Sequence, residues 1–130
     1  MRTIVKAVSR GSLRPGFGRR LYAAEVLVLT RFRVPTSPEA FRPRLEGALA
    51  VLGAQRGFVD GEIGRNVDDP DLWVLQTRWE GPGAYRRALS AYDVKLHAWP
   101  VLGEALDEPT AYEVVAAGEP LNEARPRENR

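Results

Sequence analysis

The feature that most limits the fold is a β-hairpin set between two helical stretches. Residues 58–66 (FVDGEIGRN) and 72–79 (LWVLQTRW) flank the turn cluster Asp68-Asp69-Pro70-Asp71. The second run has the β-branched and aromatic content of a strand, and the cluster between them has the residues of a tight turn. Gly61 and Gly64 weaken the first run and mark it for a bulge. Upstream, residues 25–34 open with Val26-Leu27-Val28-Leu29, then alternate Phe32 and Val34 with Arg31 and Arg33. That ending has the period of two expected of a strand. Thr36 and Glu39 then stand at capping-box spacing, with Pro38 in the first turn. Phe41, Leu45, Ala48, Leu49 and Leu52 follow at helical spacing and form one apolar stripe. Pro43 lies too deep for a regular helix starting at Pro38, which predicts a late start or an irregular first turn. Gly53 and Gly57 bracket the stop.

After the hairpin, Pro82 starts a second helix with Tyr85, Leu89 and Tyr92 near one face. A break around 90–93 precedes a further apolar-striped helix over 94–106, bent at Pro100, and TAYEVV (110–115) closes the series as a strand. The order β-α-β-β-α-β is the split βαβ unit of the ferredoxin-like α+β fold, with a four-stranded antiparallel sheet. Helices on one side leave the other sheet face open. In one register Val26, Val28, Trp73 and Leu75 make that open face apolar, and a second copy is the economical cover. The expected architecture is a dimeric α+β barrel, a homodimer of one domain spanning 25–116.

The net charge of +2 is unevenly spread. Residues 1–24 carry six basic side chains and no acid, and residues 117–130 carry three of each sign. Taking these from the totals of 19 and 17 leaves ten basic and fourteen acidic residues in 25–116, a mildly acidic domain. The Gly- and Pro-containing leader 1–24 reads as a basic flexible arm and 117–130 as a flexible tail. The arm also fits a nucleic-acid or membrane-surface contact, a transit segment, or a true start downstream of Met1. No nucleic-acid fold signature accompanies it, and nothing in the chain has the apolar length to span a bilayer. Neither a nucleic-acid nor a membrane partner is expected. With no cysteine there is no disulfide framework or thiolate chemistry, and the cytoplasm is the simplest compartment.

The stretch Trp79-Glu80-Gly81-Pro82-Gly83-Ala84-Tyr85-Arg86 reads W-E-x-x-x-A-Y-R. Together with EVLVLTRF, the Gly57-Phe58 helix exit and the closing AYEVV, it resembles the antibiotic biosynthesis monooxygenase family over about 25–116. The family's quinone-forming members oxidise a phenolic or anthrone substrate with O₂ and no cofactor. The resemblance therefore implies a small aromatic or polyketide-like substrate, and no metal, haem or flavin. Such chemistry needs a dry apolar pocket, an acceptor for the substrate's proton, and donors that stabilise the enolate. Those members place the motif's tryptophan and tyrosine in the pocket, here Trp79 and Tyr85. Four residues before the tryptophan they carry an asparagine, where this chain has Leu75. The family's haem-degrading branch resembles Ser90-Ala91-Tyr92-Asp93-Val94-Lys95-Leu96-His97, with His97 as axial ligand. That branch also wants a tryptophan where Arg87 stands and an asparagine around 29–30.

Each candidate also has a plainer reading. His97, the one histidine, suits a general base or a haem ligand, and equally a solvated helix side chain. Alone it builds no multi-histidine metal site. Trp73, Trp79 and Trp99 fit core or interface anchors as well as pocket walls. Tyr85 and Tyr92 have apolar helical spacing. Asn66 and Arg78 are polar residues on strands, available to point at a substrate. Asp68, Asp69 and Asp71 lack the ligand spacing of a calcium loop and suit a solvated turn. Two functions stand side by side: a cofactor-independent monooxygenase served by His97, Tyr85 and Trp79, and a non-catalytic dimer that binds a small apolar ligand.

Overall fold

A computed structural model describes residues 3–6 and 25–121; of residues 3–6 it describes the backbone. The remainder of the expected N-terminal arm (1–24) and the end of the expected tail (117–130) lie outside the described residues. The elements run β1 (Thr3–Lys6), β2 (Val26–Arg33), α1 (Pro38–Gly53), β3 (Phe58–Arg65), β4 (Leu72–Trp79), α2 (Pro82–Ser90), α3 (Tyr92–His97), α4 (Trp99–Leu102) and β5 (Ala111–Glu113). The sheet order is β1-β3-β4-β2-β5, with every pairing antiparallel. The four inner and right-hand strands make the ferredoxin-like α+β sheet, open rather than closed on itself. β1 falls within the segment expected as a flexible arm, and extends the sheet beside β3 with Thr3 opposite Ile63 and Lys6 opposite Asp60.

The core lies between the sheet and the helices. From α1 it takes Phe41, Leu45, Ala48, Leu49 and Leu52, the stripe read from the sequence. The sheet supplies Val26, Val28, Phe32, Phe58, Trp73, Leu75 and Trp79. This corrects the expected faces: Val26, Val28, Trp73 and Leu75 point at the helices, not at the open side. β2 is apolar in both parities, so its own pattern does not choose a face. β4 chooses, because Trp73, Leu75 and Trp79 share one parity and the other holds Gln76 and Arg78. Phe41 of α1 meets the Trp73 ring edge-on at 5.6 Å. The open face is thus built from Leu27, Leu29 and Arg31 opposite Arg78, Gln76 and Val74. Tyr112 of β5 joins it opposite Leu27. Arg78 sits there between Glu25 (3.7 Å) and Asp60 (3.8 Å).

α1 starts at Pro38 despite Pro43. An interior proline forfeits one backbone bond at a cost of about 3 kcal/mol, and the five buried residues of the stripe offset it. The expected Thr36–Glu39 box does not form. Ser37 is the N-cap in the left-handed region (φ 54°), and its carbonyl accepts from Ala40 and Phe41. The segment expected as one bent helix over 94–106 is two short helices broken at Ala98, with Pro100 in the first turn of α4. The β3 bulge falls between Phe58 and Asp60. Gly61 is needed for another reason: a Cβ there would press on Gln76 O at 2.8 Å and Leu49 Cδ1 at 2.9 Å, so the glycine lets α1 settle on the sheet.

Candidate functional site

The W-E-x-x-x-A-Y-R stretch is the corner where β4 leaves the sheet and α2 begins. Trp79 ends β4 on the helix-facing side and is fully buried. Glu80 N–H donates to Gly57 O at 2.8 Å, tying this corner to the α1–β3 turn. Gly57 has φ +89°, and a Cβ there would collide with that of Ala84. Glycine at 57 and alanine at 84 therefore let α2 pack close against the start of β3. Pro82, pre-set for a helix start, launches α2 so that Tyr85 returns over the indole. The Trp79 and Tyr85 rings lie 5.7 Å apart with planes tilted 51°. Phe58 meets the other side of the indole edge-on at 5.3 Å.

The polar groups here are few. Trp79 Nε1 donates to Thr77 Oγ1 at 2.8 Å. Thr30 and Thr77 are the buried polar residues among those described. Leu75, 2% exposed, occupies the position where the resemblance called for asparagine, and is paired across the sheet with Thr30 and Ile63. Burial pushes the Tyr85 phenol above its ordinary pKa of 10, and the Thr110 side chain offsets this only in part. At neutral pH Tyr85 is therefore a protonated phenol, a donor rather than a base. An indole wall, a phenol and threonine hydroxyls can hold an aromatic ligand and donate to an oxygen on it.

The other candidates are dispersed. Trp73 sits six residues up the same strand, about 20 Å from Trp79, with the Arg65 guanidinium 5.3 Å from its ring centroid and its buried Nε1 without a partner. Asn66 is exposed in the hairpin turn, where its Oδ1 accepts from Asp68 N–H (2.9 Å) and Asp69 N–H (2.8 Å). Arg78 belongs to the open face. Tyr92 is 74% exposed and Trp99 48% exposed, with Trp99 Nε1 donating to Leu89 O at 3.1 Å and Lys95 over its ring. His97 is exposed and lines a cleft of about 510 Å³ with Pro43, Gly47, Val51 and Val101, between α1 and α4. Arg87, at the haem branch's tryptophan position, is also exposed. Thr77 was not singled out from the sequence. It has a signal, being two residues before Trp79 and so on the same face. Among the described residues no helix is long and apolar enough to cross a membrane.

No family model matches the chain, and no curated protein matches it. Solved structures do. SnoaB, a cofactor-independent oxygenase from Streptomyces nogalater, is 26% identical, with a TM-score of 0.64 over 74% of this chain and 98% of SnoaB. Rv0793 from Mycobacterium tuberculosis is 23% identical over 78% of this chain and all of its own, TM-score 0.56. A candidate antibiotic biosynthesis monooxygenase from Chloroflexus aurantiacus is 18% identical over 72% and 96%, TM-score 0.57. The latter two share the fold; SnoaB shares the fold at a higher identity and nearly its full length. With its antiparallel β-α-β-β-α-β sheet, the chain is similar in fold to SnoaB and to candidate antibiotic biosynthesis monooxygenases.

Proposed function

We propose that the chain is a cofactor-independent monooxygenase that acts, as a homodimer, on a small aromatic or polyketide-like compound. The observation that carries this reading is the Trp79–Tyr85 pair, 5.7 Å apart in an interior whose buried polar residues, among those described, are Thr30 and Thr77. The likeness to SnoaB, itself a cofactor-independent oxygenase, supports it. A suitable substrate is an anthrone, whose methylene becomes a carbonyl. One oxygen atom of O₂ stays in the product and the other leaves as water with the two methylene hydrogens, so four electrons pass from carbon to oxygen. Deprotonation comes first, since the carbanion/enolate is the species that reduces O₂. Trp79 supplies an apolar wall that keeps the ring dry, and the Tyr85 phenol donates to the oxygen where charge develops. His97, at the surface in the α1–α4 cleft, enters this reading as an acceptor for the released proton through solvent, not in contact with the ring.

The open face supports the homodimer. Leu27, Leu29 and Val74 form an apolar strip that two copies bury together, as the expected α+β barrel requires. With no cysteine to report on the redox compartment, the cytoplasm enters this reading as the simplest default. A second reading, a dimer that binds an apolar ligand without turnover, is favoured by the buried Leu75 in place of a polar side chain. Oxygen consumption by the purified, chelator-treated protein with a panel of anthrones and phenols separates the two. Turnover that falls in Tyr85→Phe supports the oxygenase; saturable quenching of Trp79 fluorescence without oxygen uptake supports the binder.

A further inference from the structure

The cleft of about 510 Å³ between α1 and α4 shares no lining residue with the Trp79–Tyr85 corner, and its volume is in the range of small-molecule sites. One wall is α1, through Pro43 and Gly47, four residues apart and so on one face of the helix. The opposite wall is Pro100 and Val101 of α4. Proline and glycine are the two residues that most disfavour a helix interior, and α1 puts both on this wall. Packing does not require glycine at 47, since a Cβ there would meet nothing within 4 Å. What the glycine leaves is room in the cleft. The polar side chains that line it are His97 and Arg44. Glu104, on the far side of Arg44 in the neighbouring cleft beside Phe32 and Ser37, accepts from both terminal nitrogens of the guanidinium. A guanidinium carries five N–H donors, so three are left for another acceptor. Among the described residues no carboxylate lines the α1–α4 cleft itself.

We propose that the α1–α4 cleft is a second binding site, for a small aromatic carboxylate whose ring lies between the Pro43–Gly47 wall and Pro100–Val101 and whose carboxylate accepts from Arg44 and His97. Charge decides the head group: an apolar trough whose polar end is a guanidinium and an imidazole complements an anion. The body is a ring because a rigid plane gives up less conformational freedom than a flexible chain on entering a cleft. The inference stands apart from the oxygenase reading, which places its substrate against Trp79 and Tyr85.

The test uses the full chain at neutral pH, with β-naphthoate as probe and β-naphthylmethanol as its uncharged counterpart. His97 is the one histidine, so its imidazole proton resonance is assigned without variants. Naphthoate shifts this resonance saturably in the wild type, with a dissociation constant of about 1 mM, and the alcohol binds more weakly. Gly47→Leu fills the cleft and removes the saturable shift. It keeps or raises the melting temperature, because leucine suits a helix better than glycine. Arg44→Gln weakens naphthoate about threefold and leaves the alcohol unchanged. No saturable shift in the wild type, or naphthoate bound as well by Gly47→Leu, overturns the site. Equal affinity for acid and alcohol, or an Arg44→Gln loss shared by both, overturns the carboxylate. Tyr85→Phe binds naphthoate as the wild type does; a loss there puts the probe at the Trp79–Tyr85 corner and overturns the second site. Oxygen uptake, measured separately, decides the oxygenase reading without affecting these results.

Discussion

The indole N–H of Trp79 donates to the hydroxyl of Thr77, its same-face neighbour two residues back along β4, at 2.8 Å. Both groups are buried, so the bond removes the one polar liability of a tryptophan set in a core. It also commits the indole N–H. In the proposed site, Trp79 would therefore meet a ligand with its ring, leaving Tyr85 as the donor at this corner.

Thr77→Val keeps the shape of the side chain and leaves that N–H buried without a partner. The expected cost is about 1–3 kcal/mol of unfolding free energy, with Thr77→Ser costing less. Urea denaturation checks it, and a Thr77→Val as stable as wild type would show that the bond contributes nothing.

The tryptophans should separate by stability. Trp79→Ala empties a fully buried site and should cost about 3–5 kcal/mol, enough to unfold much of the population. Trp99 is 48% exposed, and Trp99→Ala should cost about 1 kcal/mol or less. Chemical denaturation of the two variants side by side gives the comparison.

Most of the element order was legible because strand and helix periods differ and the punctuating glycines and prolines sit between them. The Leu72–Trp79 strand and the α1 stripe appear as expected. The faces of the sheet were not legible. Val26 and Val28 on one side of β2 are matched by Leu27 and Leu29 on the other, and only packing against Phe41 and Trp79's neighbours breaks the tie. The first strand was hidden because Thr3–Lys6 is short and lies in a basic, glycine-containing segment. At the site, Trp79 and Tyr85 were readable as a motif. The bond from Trp79 to Thr77 was not, since same-face spacing puts the hydroxyl nearby without fixing its partner.

The corrected faces change what a charge does. Val28→Asp buries an unpaired charge among helix-side residues and should leave the chain unfolded or aggregated. Leu29→Asp places the charge on the open face, and should yield a folded monomer. Light scattering is expected to give twice 14.5 kDa for wild type and 14.5 kDa for Leu29→Asp. A wild type at 14.5 kDa at micromolar concentration would rule out the homodimer.

Acid should loosen the surface clasps. Hydrogen bonds from Arg31 and Arg44 hold Glu108 and Glu104 below the usual 4.5, and Arg33 holds Asp69 below 3.8. A depressed folded-state pKa contributes stability that is present above the unfolded value and lost as pH falls through the folded one. The loss therefore begins near pH 4.5 and continues below it. Because these groups are exposed, the effect is modest and shrinks in high salt. Glu108→Gln should flatten this limb of a stability–pH curve, measured by urea midpoints between pH 6 and pH 3.

The sharpest expectation concerns which side chain the chemistry depends on. Histidine is the residue type whose unperturbed pKa lies near neutral pH, and from sequence His97 is the natural choice of base. In the fold it is exposed in the α1–α4 cleft, with Pro43 and Val101 as neighbours, while Tyr85 packs against Trp79 on the corner after β4. A base that works through solvent is replaceable by buffer. A donor aimed at a developing oxyanion in a dry site is not, and removing one costs roughly 10²–10³ in turnover. Oxygen consumption with an anthrone should therefore fall about 10²-fold in Tyr85→Phe and less than tenfold in His97→Ala, with added imidazole restoring part of the latter. Burial keeps the phenol protonated beyond its ordinary pKa of 10. The alkaline side of the pH–rate profile should accordingly stay level to at least that pH, wherever the protein remains folded. Equal losses in the two variants would return His97 to the substrate's side and require α3 to move towards Tyr85 when a ligand binds.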